Sequence, residues 1–285
     1  MRQIMNKAIF IGELALNIEL KSDGTATTRV GDWAVNASVL DGRMGVDTSF
    51  VGEAAADVVG DYIVSYLTSA GVGVKSVDRY TEGVSPLRVT SDTVSGKTVG
   101  YEQFPSEPVN AVWPRIDEDD VVVFGSYMAL EERDHDRLMD LLKYAKARKA
   151  LIVYLPYFQE QQVPRITRVM PAVFDDLELA DIVVARTEDI KRIFPGEDMG
   201  AVFKDHILFY CRRFLHIDAA DKLMRFYDGD ASWTEKCHPA DHSDFQWYSG
   251  ALAGLTRALT EGMRDPEELM RRADETAHSE LAGSV

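Results

Sequence analysis

Between Cys237 and Asp244 the chain carries its densest cluster of side chains able to ligate a metal or move a proton: Cys237, His238, Asp241, His242 and Asp244. His238 and His242 stand at i, i+4, and a zinc- or iron-dependent enzyme is one chemistry such a set could support. Pro239 breaks any helix joining the two histidines, and no second Cys/His pair lies at ligand spacing. A solvated loop is therefore the expectation and metal the alternative. Directly afterwards, Ser243-x-x-Gln246 has the form of a capping box that opens a helix. Asp181 and Glu188 could be read as an acid and a base, but they fit a helix start and a surface charge better.

The elements that must position these groups are legible as apolar runs: Ala8 to Ile11, Ser49 to Val51, Val121 to Phe124, Leu151 to Leu155, Ile182 to Ala185 and Phe214 to Ile217. Continuous Val, Ile and Phe runs of strand length predict burial on both faces, as in a central parallel sheet. Between Glu131 and Arg148, Leu138, Leu141, Leu142 and Ala145 recur at i, i+3, i+4, i+7 and predict a helix whose stripe faces that sheet. The layout is doubly wound α/β, taken as a single domain over residues 1–285. Ile18 to Val30 and Pro86 to Phe104 break the alternation and read as antiparallel strands, the second with a turn at Ser95-Gly96. A small outlying sheet that buries one face needs a lid role or a partner.

Composition narrows the class further. With 285 residues and 46% apolar content the chain can bury a full core. Thirty-one basic against 47 acidic side chains leave a formal charge of -16, which argues against nucleic-acid and membrane partners. Two cysteines make no disulfide framework, and no apolar run approaches the ~18 residues of a membrane span. Met1 to Lys7 leads into the first strand without a signal-peptide pattern, so a cytoplasmic protein is expected.

Four passages carry a resemblance. Gly12-Glu13-Leu-Ala-Leu-Asn17, Gly31-Asp32-Trp33-Ala34-Val35-Asn36, the run Val51 to Asp61, and Ala70-Gly71-Val72 followed by Ser85-Pro86-Leu87 are similar, in order and spacing, to the motifs of the ribokinase-like (PfkB) carbohydrate kinases. The resemblance covers essentially the whole chain. It implies a mostly parallel sheet flanked by helices, with a small β-sheet lid inserted at about 14–33 and 84–112. It also implies phosphoryl transfer from MgATP to a sugar hydroxyl and a homodimer paired through the lid. Asn17, Gly31, Asp32, Trp33 and Asn36 fall on the substrate-binding positions. Trp33 could stack on a sugar or pack beneath the lid, and Asn36 could touch substrate or serve as a helix cap.

The catalytic motifs depart from the family pattern. Counting back from Gly250 puts Phe245 at the position of the catalytic Asp, and Asp244 one residue out of register, about 100° away around a helix. A phenyl ring accepts no proton, and Ser243 fits an N-cap. After Phe214 to Ile217 the run Asp218-Ala219-Ala220-Asp221-Lys222 puts Ala219 and Lys222 where the nucleotide turn would have glycines. Arg186-Thr187-Glu188-Asp189 replaces Asn-x-x-Glu and reverses the charge logic of a Mg²⁺ site, while Leu155-Pro156-Tyr157 replaces Asp-Pro-Asn. The expectation is a sugar kinase-like protein with weak or no activity. The alternatives are an active sugar or nucleoside kinase using Asp244 or Glu13 as an unusual base, and a metal-dependent enzyme built on the Cys237 to Asp244 cluster.

Overall fold

The computed structural model describes residues 6–91, 98–158, 163, 165–238, 243–279 and 281–285. Strand β1 (Ala8–Ile11) leads into the paired β2 (Leu16–Leu20) and β3 (Ala26–Val30), then helix α1 (Trp33–Arg43), β4 (Thr48–Ala55), α2 (Val58–Ser69) and β5 (Gly73–Tyr80). A second excursion, β6 (Val84–Ser91) and β7 (Thr98–Gln103), precedes β8 (Val121–Gly125), α3 (Glu132–Ala147), β9 (Leu151–Leu155), α4 (Met170–Leu179) and β10 (Ile182–Arg186). Short helices α5 (Thr187–Ile193) and α6 (Met199–Val202) lead to β11 (Arg213–Asp218), β12 (Leu223–Asp228) and β13 (Ala231–Lys236), and α7 (Asp244–Thr260) and α8 (Pro266–Ala277) follow.

Nine strands form one sheet in the order β13-β12-β11-β10-β9-β8-β1-β4-β5. The members from β5 to β11 pair in parallel, and the apolar runs read from the sequence form six of them. The central strands β1, β8 and β9 are buried at every position, as residues covered on both faces must be. One face packs Trp33, Leu40, Trp247, Leu252 and Leu269, and the other packs Phe124, Leu138, Leu142, Val173 and Ile190. Gly250 and Gly254 let α7 lie close on α8, because a Cβ there would stand 2.7 Å from the Ala277 Cα and 2.4 Å from the Arg272 carbonyl oxygen. β5, β12 and β13 were not read as strands. The last two form an antiparallel hairpin at the sheet edge, and β13 is largely exposed.

The two excursions meet in a second, four-stranded sheet, β3-β2-β6-β7. The expectation of antiparallel strands holds for β2–β3 and β6–β7, but β2 and β6 run parallel, with Leu16 beside Leu87 and Leu20 beside Ser91. Topology explains this: β2 follows β1 and β6 follows β5, and both leave the same end of a parallel sheet. The Ser95-Gly96 turn lies outside the described residues.

Asp57 joins this small sheet to the body. It caps α2 by accepting from the Gly60 amide at 2.7 Å, and it accepts from the Ser85 amide and hydroxyl on β6 at 2.8 Å each. Burial alone would raise its pKa, and these hydrogen bonds outweigh that and hold the carboxyl below its usual range. Asp57→Ala is expected to destabilise the fold by about 1–3 kcal/mol, from the lost cap and the unsatisfied Ser85 amide. Urea denaturation checks this, with Asp57→Asn losing less than Asp57→Ala.

Candidate functional site

Side chains alternate across a strand, so the pairing registers sort the small sheet into two faces. Asn17 and Glu19 on β2 pair with Arg29 and Thr27 on β3 and with Arg88 and Thr90 on β6, giving one polar face. Leu16, Ile18 and Leu20 share the opposite face with Leu87, Val89, Val99 and Tyr101. The polar face roofs a cleft of about 860 Å³. Its floor is Tyr157 beyond β9, Arg186 at the end of β10, Arg192 on α5, and Ser243, Phe245 and Gln246 at the start of α7. The cleft thus lies at the carboxyl ends of the parallel strands, where open α/β sheets place ligands.

Arg186 organises the floor. Its Nε donates to Asp189 Oδ2 at 2.7 Å and an Nη to Asp189 Oδ1 at 2.6 Å, while Arg192 stands 3.8 Å from the same oxygen. Asp189 is 1% exposed; burial pushes its carboxyl up, and the guanidinium opposes that shift. The Arg186 guanidinium lies among the rings of Tyr157, Tyr248 and Trp33, at 4.9, 5.1 and 5.7 Å from their centroids. This cation occupies the loop where the resemblance implies a Mg²⁺-organising Asn.

The residues expected on the substrate side are used mainly inside the fold. Asn17 donates its amide to the Gly31 carbonyl at 3.0 Å and the Arg29 carbonyl at 3.3 Å, bracing the base of the small sheet while still lining the cleft. Gly31 takes φ +65°, and a Cβ there would stand 2.3 Å from Val35 Cγ2. Asp32 is the N-cap of α1, accepting from the Ala34 and Val35 amides at 2.9 and 3.1 Å, and burial pushes its carboxyl up to about 6. Asn36 lies inside α1, fully buried, with its amide given to the Val30 and Asp32 carbonyls and its oxygen accepting from Tyr66; it caps nothing. Trp33 is 1% exposed and packs edge-on to Tyr248, 6.3 Å between centroids. It lies beneath the floor instead of lining the cleft.

On the other side of Arg186, the predicted nucleotide segment is also engaged. Asp218 accepts from the Thr187 hydroxyl at 2.8 Å and the Asp221 amide at 2.9 Å. Ala219 gives its amide to the Tyr248 hydroxyl at 3.3 Å. Lys222 adopts φ +49°, a conformation glycine accepts more easily, and sits 3.6 Å from Asp244 and 5.3 Å from the Trp247 ring centroid. The capping box is formed: the Ser243 hydroxyl accepts from the Gln246 amide at 3.3 Å, and Gln246 Oε1 accepts from the Ser243 amide at 3.0 Å. Asp244 points to Lys222, whereas Phe245 lines the cleft with the Arg29 guanidinium 3.8 Å above its ring. His216 shares a hydrogen bond with Thr187 at 2.8 Å, and burial lowers its pKa to about 4.

Of the candidate metal cluster, Asp241 and His242 lie outside the described residues. Cys237 is buried, and burial with Asp274 nearby pushes its thiol up. His238 meets Asp274 at 2.7 Å instead of Asp244, and His278 meets the other Asp274 oxygen at 3.1 Å. Among the described residues no group of three or more His, Cys, Asp or Glu side chains is placed to hold a metal ion. Asp181 bridges strands, accepting from the Ile152 amide at 2.9 Å, and Glu188 accepts a long bond, 3.4 Å, from Tyr248. The sequence reading missed Arg29, Arg88 and Arg192 as cleft residues. Polar alternation along the strands of the small sheet was the signal for Arg29 and Arg88, whereas Arg192 lies on α5 and had none.

The Arg186–Asp189 pair makes a direct stability test. Arg186→Ala leaves a buried carboxylate uncompensated and is expected to cost about 3–5 kcal/mol in denaturant unfolding. The double variant Arg186→Ala/Asp189→Ala should lose less than Arg186→Ala alone.

No protein-family model matches the chain. A curated relative, the sugar kinase homologue PH1459 of Pyrococcus horikoshii, is 24% identical over 222 residues, 70% of this chain. The match spans 66% of that relative, just under two thirds of its length. The same relative has been solved in complex with ATP, and that structure aligns with TM-score 0.79 at 17% identity over 98% of this chain and 94% of its own. Aminoimidazole riboside kinase from Salmonella enterica aligns with TM-score 0.79 at 13% identity over 98% of this chain and 92% of its own. A fructokinase double mutant from Vibrio cholerae, bound to fructose, ADP and potassium, gives TM-score 0.80 at 12% identity over 99% and 91%. The chain has the ribokinase-like fold of these sugar kinases. No described helix is long and apolar enough to cross a membrane.

Proposed function

We propose that this chain is a divergent member of the ribokinase-like sugar kinases, that it works in the cytoplasm, and that it keeps the lid-covered sugar cleft with little or no phosphoryl transfer. One observation carries the reading: Phe245, at the position that implies the base, lines the cleft beside Gln246 while Asp244 does not, and the Arg29 guanidinium lies on the Phe245 ring. A general base must come within hydrogen-bond reach of the proton it takes. Asp244, the nearest carboxylate in sequence, is paired with Lys222 on the far side of the helix start. The described residues do not fit MgATP well either. The Ala219 amide is given to Tyr248, Lys222 is held by Asp244, and Asp218 brings negative charge toward a triphosphate.

Losing a base typically costs ~10² to 10⁴ in rate, and lost phosphate-binding amides cost more. Incubation with ATP, Mg²⁺ and a panel of hexoses, pentoses and nucleosides, followed by mass spectrometry, should give no robust phosphorylated product. Millimolar MgATP should leave the melting temperature unchanged, since a ligand that does not bind the folded state cannot stabilise it. Robust product from any sugar would overturn the non-catalytic reading. A saturable MgATP shift lost in Lys222→Glu would restore the active kinase to first place.

A second feature supports a homodimer through the lid. The face of the small sheet turned from the cleft is apolar, and Leu20, Val99 and Tyr101 on it are 45, 52 and 58% exposed. Four strands with one wet apolar face gain stability when a second copy covers it. Sedimentation at micromolar concentration should give the dimer mass, and Tyr101→Glu together with Val99→Glu should shift it to the monomer.

A further inference from the structure

In a chain of formal charge -16, the cleft is cationic. Lys21, Arg29, Arg88, Arg186 and Arg192 line it against one side-chain carboxylate, Glu19. Part of this charge is already used, since Lys21 pairs with Glu19 at 2.5 Å and Arg88 with Glu13 and Glu102. Three guanidiniums remain with capacity. Arg29 makes no ion pair among the described residues and lies flat on Phe245. Arg192 is 40% exposed, with one Nη on the Phe158 carbonyl at 3.1 Å. Arg186 spends Nε and one Nη on Asp189, and its other Nη makes no hydrogen bond among the described residues.

Arg186 is therefore a fixed receptor: a carboxylate grips it on one edge, aromatic rings enclose it, and it borders the cleft. Guanidiniums held beside apolar walls bind an anion more strongly than they would in open water. Thr27, Thr90, Asn17 and Gln246 line the rest with groups suited to hydroxyls. Lys21, Arg29 and Arg88 bring charge from the roof and Arg186 and Arg192 from the floor, while Asp218, Ala219 and Lys222 do not line this cleft. A neutral sugar would leave Arg29 without a counter-charge and Arg186 and Arg192 sharing one carboxylate, Asp189.

Building on the non-catalytic reading above, we propose that the cleft binds an anionic sugar derivative, with its phosphate or carboxylate held by Arg29, Arg186 and Arg192. Calorimetric titration of the full chain with ribose 5-phosphate, fructose 6-phosphate, gluconate, their neutral parents and inorganic phosphate tests this. At least one anionic sugar should bind about tenfold or more tighter than both its neutral parent and inorganic phosphate, and the binding should weaken as salt rises. The phosphate and carboxylate arms identify the group. Arg29→Gln and Arg192→Gln should each weaken binding about fivefold or more with circular dichroism and melting temperature unchanged. Three results would overturn the proposal: equal affinity for the neutral parent or for inorganic phosphate alone, affinity untouched by both substitutions, or no binding of any anionic sugar at ~10 mM. Phosphoryl transfer in the earlier assay would sink the non-catalytic reading while leaving this comparison of charged and neutral ligands intact.

Discussion

A carboxylate as buried as Asp189 can persist only with a cation held against it, and Arg186 supplies that cation through two hydrogen bonds. Much at the carboxyl end of the sheet follows from this pairing. The guanidinium needs cover, which Trp33, Tyr157 and Tyr248 provide, so residues from α1, the loop after β9 and α7 are drawn to one point. Tyr248, drawn there, also takes the Ala219 amide. One ion pair thus brings together α1, the loops after β9 and β10 and α7, and through Tyr248 the turn after β11. It puts a cation where the family resemblance implies a Mg²⁺-organising Asn.

The small sheet depends on a different kind of constraint. Its two faces differ because a pleated strand sends alternate residues to opposite sides, and the registers line up like with like across three strands. A slip by one residue between β2 and β6 would turn Arg88 outward and Leu87 toward the cleft. Asp57 helps prevent that slip by pinning Ser85 from the body.

Much of the fold was legible because strands buried on both faces leave continuous apolar runs, and Ala8–Ile11 and Leu151–Leu155 coincide with theirs. Strand β13 was not legible: Ala231–Lys236 is mostly exposed and polar, so burial left no trace in its sequence. The capping box at Ser243 and Gln246 was readable because both partners lie within one turn. Arg29 was not, since its meaning comes from Phe245, a residue on a different element far along the chain. The sequence showed which family motifs had changed at Arg186, but not that Asp189, three residues on, would be buried against it. Helix spacing allowed the pair; tertiary burial gave it weight.

The position of β1 has a consequence for how the molecule is made. It lies between β4 and β8, with Ala8 beside both Thr48 and Val121, so during synthesis the sheet cannot close around its first strand until β8 has left the ribosome. The delay is longer on the face that packs α1. Leu40 and Trp33 share their core with Trp247, Leu252 and Leu269 from α7 and α8, so until those late helices emerge, the early half of the chain carries a bare apolar surface. Burial of that surface therefore waits for α7 and α8, late in translation.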